Sequence, residues 1–236
     1  PLIQVADRTV GEAHDGGGGT FSVADILARS SNVGSVMIGL KLGATRFDHW
    51  VRRFGFGRPT GVDLPGEEGG IVLRPENYSG SSMGNMPIGQ GIAVTPMQMA
   101  SAYTAIANHG VMRRPYIIEG NRPAPKRVLS RHTAGEVAKM LEGVLGPGGT
   151  ASGAQIDGYV LGGKTGTAEK PDEYGGYSKT KFVSSFVGFA PAKRPKLLVA
   201  VMVDEPQGDI YGGTVAAPAF KEIMSFALNY LRIPPH

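Results

Sequence analysis

The sequence predicts an α+β domain whose sheet is antiparallel. Apolar residues at helical spacing dominate residues 20–158, and two strand-like segments, 182–189 and 196–203, follow a third strand that begins near residue 159. The link at 190–195 has the length that joins antiparallel neighbours. A core-facing helical stripe over 216–231 closes the chain. Helices first, then strands, then one terminal helix is the order typical of α+β domains.

Residues 1–19 precede the helical region and contain a short apolar opening, PLIQVA, and a run of four glycines at 16–19. We expect a loop that holds a short strand. The predicted organisation is therefore a single domain in three parts, with the loop at 1–19, the mainly helical region at 20–158, and the sheet with its terminal helix at 159–236.

Two helical patterns meet at the serine–serine–asparagine triplet 30–32. The first pattern stops at the triplet, and the second runs over about 33–42 and is closed by Gly43. The triplet therefore lies in a tight junction between two helices. Asn32, or either serine, is a suitable N-cap for the second helix. A functional Ser-x-Asn motif is the competing interpretation, and both stay open at this point.

Three further helices are predicted in the same region. The first covers 45–54, with Thr45 and Asp48 at capping-box spacing. The second covers 95–108 and has the same box in Thr95 and Gln98. The third starts at Thr133, with Glu136 three residues later. The apolar face of the first of these, which we expect to be core, comprises Phe47, Trp50, Val51 and Phe54.

Residues 56–91 are dense in glycine and proline and show no regular pattern. A connection of this length tends to border a functional surface. Within it, GSSMG at 80–84 fits the G-x-S-x-G nucleophile elbow around Ser82. An elbow needs a buried strand before the serine and a helix after it, and NMPIGQG follows instead, so we interpret the match as accidental.

The segment YVLGGKTGTAE at 159–169 is the strongest chemical signal in the chain. Lys164 supplies a compact cation, and Thr165 and Thr167 are two residues apart, so their hydroxyls face one side of a strand. Gly166 between them lets a ligand approach the backbone. This edge is suited to holding a carboxylate beside a reacting carbonyl, whose developing oxyanion would take the backbone N–H of Thr167.

An alternative is that residues 158–165, GYVLGGKT, form a G-x-x-x-x-G-K-S/T phosphate loop. That loop needs a strand before its first glycine and a helix that starts at the lysine. Here the apolar residues lie inside the supposed loop, and TGTAEKPDEYGG follows, which does not begin a helix. A nucleotide-binding protein would show magnesium-dependent ATP binding.

Composition and charge argue against several other classes of protein. The net charge of +4 is scattered, without the basic stripe that nucleic-acid binding favours, so we expect no nucleic-acid partner. The chain has no cysteine, and its five histidines lack paired ligand spacing, so we expect neither a metal nor another cofactor. No apolar run approaches the roughly 18 residues of a membrane span. Because the chain opens on proline, we interpret it as a piece of something longer.

With these motifs placed, the chain resembles the transpeptidase domain of penicillin-binding proteins, and most closely the class B enzymes of cell division and elongation. The resemblance covers nearly all 236 residues. It rests on the S-x-N triplet and the K-T-G strand together with TGVDLPGE at 60–67, GQGIAVTPMQMASAY at 89–103, DGYVLGGKTGTAEK at 157–170 and YGGTVAAPAFKEIM at 211–224.

The resemblance implies a penicillin-binding and serine β-lactamase-like fold and a set of roles. Lys164, Thr165, Gly166 and Thr167 would bind the terminal carboxylate of a D-alanyl-D-alanine stem peptide or of a β-lactam. Ser30 would lie in the proton path to the leaving amine, and Asn32 would hold the amide of the substrate or drug. It further implies acyl transfer through a serine ester, partners among the proteins of cell-wall synthesis or division, and a location on the extracytoplasmic face of the bacterial inner membrane.

The family's nucleophile motif, S-x-x-K, is the one part without a counterpart before Ser30. The only S-x-x-K is Ser178 to Lys181, which lies where we expect extended chain, so its lysine would not lie one helical turn from its serine. We therefore hypothesise that the nucleophile and the membrane anchor precede this chain, and that the chain alone is not acylated.

Two relatives of the same fold remain as alternatives. A serine β-lactamase would need a deacylating glutamate after S-x-N, and Glu76 in RPENY does not resemble that loop. A non-catalytic β-lactam-sensing domain would keep the cleft without building the cell wall.

Overall fold

The computed structural model describes residues 1–13 and 19–235, and it has the predicted α+β architecture. Within these residues the α-helices are α1 (Val23–Arg29), α2 (Asn32–Leu42), α3 (Ala44–Arg53), α4 (Ser82–Asn85), α5 (Pro96–Ala107), α6 (Arg131–Glu142) and α7 (Gly212–Tyr230). The strands are β1 (Leu2–Val5), β2 (Arg8–Gly11), β3 (Val111–Met112), β4 (Lys126–Arg127), β5 (Gly162–Pro171), β6 (Tyr177–Ala190) and β7 (Leu197–Asp204).

The N-terminal segment contains a β-hairpin, so its described part has two short strands where the prediction for residues 1–19 was a loop with one. Strands β1 and β2 pair antiparallel, with Val5 opposite Arg8. Each strand has only four residues, too few for an alternation to be visible in the sequence. The hairpin is stabilised by packing instead, because Val5 and Val10 form a buried cluster with Val36 of α2. Most of the glycine run lies outside the described residues.

The junction between α1 and α2 lies where the sequence predicts it. Ser31 is the N-cap of α2, and its hydroxyl accepts a hydrogen bond from the N–H of Gly34 at 3.0 Å. Asn32 is therefore the first residue of the helix rather than its cap. Ser30 ends α1 in the left-handed region, with φ of 56°. This backbone turns the chain sharply, so α2 begins directly after α1 ends.

Helix α3 differs from its prediction in both capping and burial. Its N-cap is Gly43, which makes no side-chain capping bond, and Asp48 accepts from Arg52 at 3.0 Å instead of closing a capping box with Thr45. No residue of α3 is buried, and Trp50 remains 37% exposed. The predicted apolar face is therefore only partly buried: Phe54, at the C-terminal end of the helix, packs against the buried cluster of Ala105, Met112 and Val128.

The caps of α5 and α6 give one confirmation and one correction. Thr95 and Gln98 form the predicted capping box of α5. Helix α6 begins earlier than predicted, because Ser130 is its N-cap and accepts from the N–H of Thr133 at 3.0 Å. The long connection before α5 contains α4 and two single 3₁₀ turns, at Pro75–Asn77 and Met86–Ile88.

The sheet has the order β5-β6-β7 and is antiparallel throughout, as predicted. Helix α7 covers one of its faces, and Phe220 of α7 packs on Phe186 of β6 with ring centroids 4.5 Å apart. Gly163 is required by the same packing, because a Cβ there would lie 2.5 Å from the Phe186 ring. The main core of the described residues therefore lies directly behind the K-T-G strand.

None of the helices in residues 1–13 and 19–235 combines the length and apolar character needed to cross a bilayer.

Candidate active site

Lys164 and Ser30 form the contact around which the site is built. The ammonium of Lys164 on β5 donates a hydrogen bond to the hydroxyl of Ser30 at 2.7 Å, across 134 residues of chain. Lys164 also donates to the carbonyl oxygen of Thr165 at 3.2 Å. The left-handed backbone of Ser30 places its hydroxyl at the end of α1, facing the strand. The structure thus joins the two motifs that the sequence analysis singled out.

The ammonium of Lys164 is buried without a counter-ion. Burial lowers the pKa of Lys164 to about 8, because the low-dielectric surroundings disfavour the charged form. No carboxylate within the described residues forms an ion pair with it. A bound anion would offset the cost of burying this charge, and the predicted carboxylate ligand stays a prediction.

The two threonines of the strand are held by different neighbours. The hydroxyl of Thr165 lies 2.7 Å from the hydroxyl of Thr150, and the hydroxyl of Thr167 accepts from the N–H of Gly212 at 3.0 Å. Gly212 is the first residue of α7, whose N-terminal end carries partial positive charge. The N-terminus of α7 therefore adds to the positive potential beside the strand.

Gly166 has a structural reason that differs from the predicted one. A Cβ at this position would lie 2.5 Å from the Ser185 hydroxyl on the neighbouring strand. Gly212 approaches the same stretch of backbone, since a Cβ on Gly212 would lie 2.4 Å from the Gly166 carbonyl oxygen. The absent side chain of Gly166 thus makes room for the Ser185 hydroxyl, and that of Gly212 lets α7 approach the strand. The approach of a ligand to the Gly166 backbone stays a prediction.

A cleft of about 340 Å³ opens between the strand and the helix junction. Ser30, Thr165 and Thr167 are among the predicted site residues that line it, and Lys164 contacts two of these three. The remaining lining residues are Glu12, Phe21, Arg29, Ser31, Gly148, Gly149, Thr150, Tyr211, Gly212, Gly213 and Thr214. The cleft therefore combines hydroxyl groups with one carboxylate and one guanidinium.

Asn32 is not among the residues that line this cleft. Its side-chain amide donates to the carbonyl oxygen of Gly11 in the hairpin at 3.0 Å. Its backbone N–H donates to the Glu12 carboxylate at 2.7 Å, and the same carboxylate accepts from the Ser31 hydroxyl at 2.7 Å. The structure places Asn32 next to the site but directs its amide to the hairpin.

Glu12 and Thr150 are the site residues that sequence reasoning missed. Glu12 joins the hairpin to the helix junction, and Thr150 joins the loop before β5 to Thr165. Each contact spans 15 residues or more of chain. No local spacing signals such a contact, and Glu12 directly follows the hairpin, which the sequence did not predict.

The alternative motifs do not adopt the structures that their functions require. Residues 162–171 form a strand and no helix begins at Lys164, so the phosphate-loop interpretation is wrong. Ser82 begins the short helix α4 and is not preceded by a strand. Ser178 lies in strand β6, so its spacing to Lys181 is extended rather than helical. Glu76 lies in a 3₁₀ turn and is not among the residues that line the cleft.

Comparison with known proteins gives one family. Residues 3–225 match the model of the penicillin binding protein transpeptidase domain. The chain is 38% identical to stage V sporulation protein D of Bacillus subtilis, over 93% of this chain and 36% of that protein. It is also 38% identical to the probable peptidoglycan D,D-transpeptidase PenA of Neisseria gonorrhoeae, over 92% of this chain and 37% of PenA. The chain therefore spans less than two fifths of these curated relatives.

Solved structures agree with the fold. Penicillin binding protein 3 of Mycobacterium tuberculosis, complexed with ampicillin, superposes with a TM-score of 0.92 at 36% identity, covering 99% of this chain and 56% of that one. The transpeptidase domain of Burkholderia pseudomallei penicillin-binding protein 3 gives 0.90 at 35% identity, covering 100% of this chain and 71% of that one. From its family match, its relatives and its fold, we conclude that this chain belongs to the transpeptidase domain family of the class B penicillin-binding proteins.

Proposed function

We propose that this chain is the part of a peptidoglycan D,D-transpeptidase that carries the S-x-N and K-T-G motifs, and that the nucleophilic serine lies outside it. The observation that carries the proposal is the 2.7 Å hydrogen bond from Lys164 to Ser30, which brings the two motifs to one cleft. Relatives named peptidoglycan D,D-transpeptidases support the reaction class.

The reaction proceeds in two acyl transfers. The serine oxygen attacks the penultimate carbonyl of a stem peptide that ends in D-alanyl-D-alanine, and the C–N bond to the terminal D-alanine breaks while the departing amine takes a proton. An amine from a neighbouring strand then attacks the serine ester, which forms a new amide and returns the serine to its hydroxyl form. No metal or cofactor enters either step.

The residues of the cleft have distinct roles in this proposal. Lys164, Thr165 and Thr167 bind the terminal carboxylate, and the backbone N–H of Thr167 forms half of an oxyanion hole. Ser30 passes a proton to the departing amine. The unpaired charge of Lys164 and the cleft-lining hydroxyls of Thr165 and Thr167 support carboxylate binding.

Asn32 and Gly166 complete these roles. Asn32 binds the amide of the substrate or drug, which requires its side chain to leave the Gly11 carbonyl. Gly166 leaves the strand backbone bare for the ligand to approach.

Binding of β-lactams and the cellular location are part of the same proposal. Crystal structures of Mycobacterium tuberculosis penicillin binding protein 3 with aztreonam and with ampicillin support β-lactams as ligands of this cleft. We place the protein on the extracytoplasmic face of the inner membrane, held there by a segment outside this chain, together with the proteins of cell-wall synthesis or division.

Intact mass spectrometry after incubation with a fluorescent penicillin tests the proposal. We expect no adduct on the 236-residue chain, and one adduct per molecule on a longer protein that carries this chain together with an upstream S-x-x-K segment. An adduct on the 236-residue chain, mapped to Ser30, Ser82 or Ser178, would overturn the assignment of the nucleophile. Failure of the longer protein to react would overturn the proposed function itself.

Turnover of the same adduct separates the remaining alternatives. A transpeptidase retains the penicilloyl ester, whereas a serine β-lactamase hydrolyses it rapidly and consumes an excess of drug. A sensing domain is acylated but does not cross-link a stem-peptide substrate.

A further inference from the structure

Thr150 is held firmly against the K-T-G strand by two helices. Its backbone N–H donates to the carbonyl oxygen of Ala28 in α1 at 3.2 Å. Its own carbonyl faces Gly213 of α7 so closely that a Cβ on Gly213 would lie 2.0 Å from the Thr150 oxygen. With its backbone fixed on both sides, Thr150 presents its hydroxyl to Thr165 at 2.7 Å, and both threonines line the cleft.

The hydroxyl of Thr165 has only one proton to give. In the bond between Thr150 and Thr165 either oxygen is able to donate. If Thr165 donates to Thr150, its proton is used and none remains for a ligand. If Thr150 donates instead, the proton of Thr165 is free to point into the cleft. The ammonium of Lys164 also lies 3.5 Å from the Thr165 oxygen, and it acts only as a donor there.

We propose that Thr150 is a positioning residue that donates its hydroxyl proton to Thr165 and so fixes the Thr165 hydroxyl with its own proton directed to the carboxylate of an incoming acyl donor. This inference rests on the proposed function, in which the K-T-G strand binds that carboxylate. Thr150 acts through Thr165 and selects for acyl donors that carry a carboxylate next to the scissile bond.

The experiment compares two ligands that differ in that carboxylate. The longer protein with its S-x-x-K segment is acylated by a penicillin and by the methyl ester of the same penicillin, and the ratio of their second-order rate constants is measured. Thr150→Val keeps the side-chain shape without the hydroxyl, and Thr150→Ser keeps the hydroxyl. Thr45→Val on α3, whose side chain is exposed and outside the cleft, is the matched control.

We expect Thr150→Val to lower the acid-to-ester ratio about three-fold, the size of one hydrogen bond between neutral groups, because the Thr165 hydroxyl loses the donor that fixes the direction of its proton. Thr150→Ser should restore the ratio, and Thr45→Val should leave it unchanged. In a background of Thr165→Val, Thr150→Val should have no further effect on the ratio, because the residue through which it acts is gone.

Other results overturn the inference. A Thr150→Val protein that loses reactivity toward the acid and the ester equally has only lost structure, and one that keeps the full ratio does not need the hydroxyl. A parent protein that does not discriminate between the acid and the ester removes the carboxylate role of the strand, and with it both the proposed function of Lys164 and this role of Thr150.

Discussion

The two sides of the cleft are built by different interactions. The strand wall comprises residues 164–167 of β5 and the start of α7, and the main apolar core of the described residues lies behind it. The junction wall comprises Ser30, Ser31 and Glu12, and behind it lies a small cluster of three valines. Its geometry depends on the two hydrogen bonds that Glu12 accepts from Ser31 and Asn32.

This difference separates the causes of stability on the two walls. Burial of large side chains is roughly proportional to apolar area and tolerates small shifts, whereas a hydrogen bond is lost within a few tenths of an ångström. The strand wall should therefore keep its position, and truncating the large side chains behind it should greatly lower the free energy of unfolding. Truncating side chains of the junction wall should lower the free energy of unfolding less, but losing its hydrogen bonds should move Ser30.

The largest effect is expected for the core behind the strand wall. Phe220→Ala removes a fully buried ring that packs on Phe186, and we expect a loss of about 3–5 kcal/mol in the free energy of unfolding. Phe226→Ala on the same helix, at a side chain that is 69% exposed, is the matched control and should change it by less than about 0.5 kcal/mol. Urea denaturation measures both, and equal losses would contradict the comparison.

A change of similar size in the free energy of unfolding is expected from the buried ammonium of Lys164 in the strand wall, here as a function of pH. The pKa of Lys164 is lowered to about 8 in the folded chain, while an unfolded lysine has a pKa of about 10.4. Between these values the unfolded chain binds more protons, so the stability contributed at this site rises with pH, by about 3 kcal/mol in all. Below pH 8 the full penalty of burying the charge is present.

Lys164→Met tests this pH dependence. The variant should be more stable than the parent at pH 7, and the difference should shrink as the pH rises through 8 toward 10.4. Urea denaturation at pH 7, 8.5 and 10 follows the change, with Lys41→Met at an exposed position as the control. A difference that stays constant with pH would show that the Lys164 ammonium is charged and solvated in the folded chain.

A moderate effect is expected for the carboxylate of the junction wall. Glu12→Ala removes the acceptor of two hydrogen bonds and leaves the donors of Ser31 and Asn32 unpaired, so we expect a loss of about 2 kcal/mol. Glu12→Gln, which keeps one acceptor oxygen, should lose less. Glu68→Ala, an exposed glutamate elsewhere, should be neutral. If Glu12→Ala were also neutral, the valine cluster alone would hold this wall.

The smallest effect is expected at the cap of the helix that carries Ser30. Ser22 and Asp25 form a capping box at the start of α1. Ser22→Ala should cost about 1 kcal/mol, and Ser22→Thr should keep most of the stability because it keeps the acceptor. Thermal unfolding of the two variants side by side measures the difference. A loss as large as that of Phe220→Ala would mean that α1 contributes as much as the strand wall.

Local patterns predicted most of the fold. The capping box of α5 and the junction at the serine triplet followed from spacing that spans only a few residues. The three strands and their antiparallel order followed from apolar segments and short links. Helix α3 is an exception, because an amphipathic face does not indicate how deeply each side chain is buried: Phe54 packs against a buried cluster, whereas Trp50 stays 37% exposed.

The sequence by itself determined which residue types are available to the site: a lysine, two threonines and a glycine on one strand, and a serine at a helix junction. Only the tertiary structure decided how they are arranged and charged. It paired Lys164 with Ser30, buried the ammonium and so lowered its pKa, joined Thr150 to Thr165, and turned Asn32 and Ser31 toward Gly11 and Glu12. The physical reason is that these contacts join distant parts of the chain, and burial depends on everything packed around a group, whereas sequence spacing reports only on neighbours within one element.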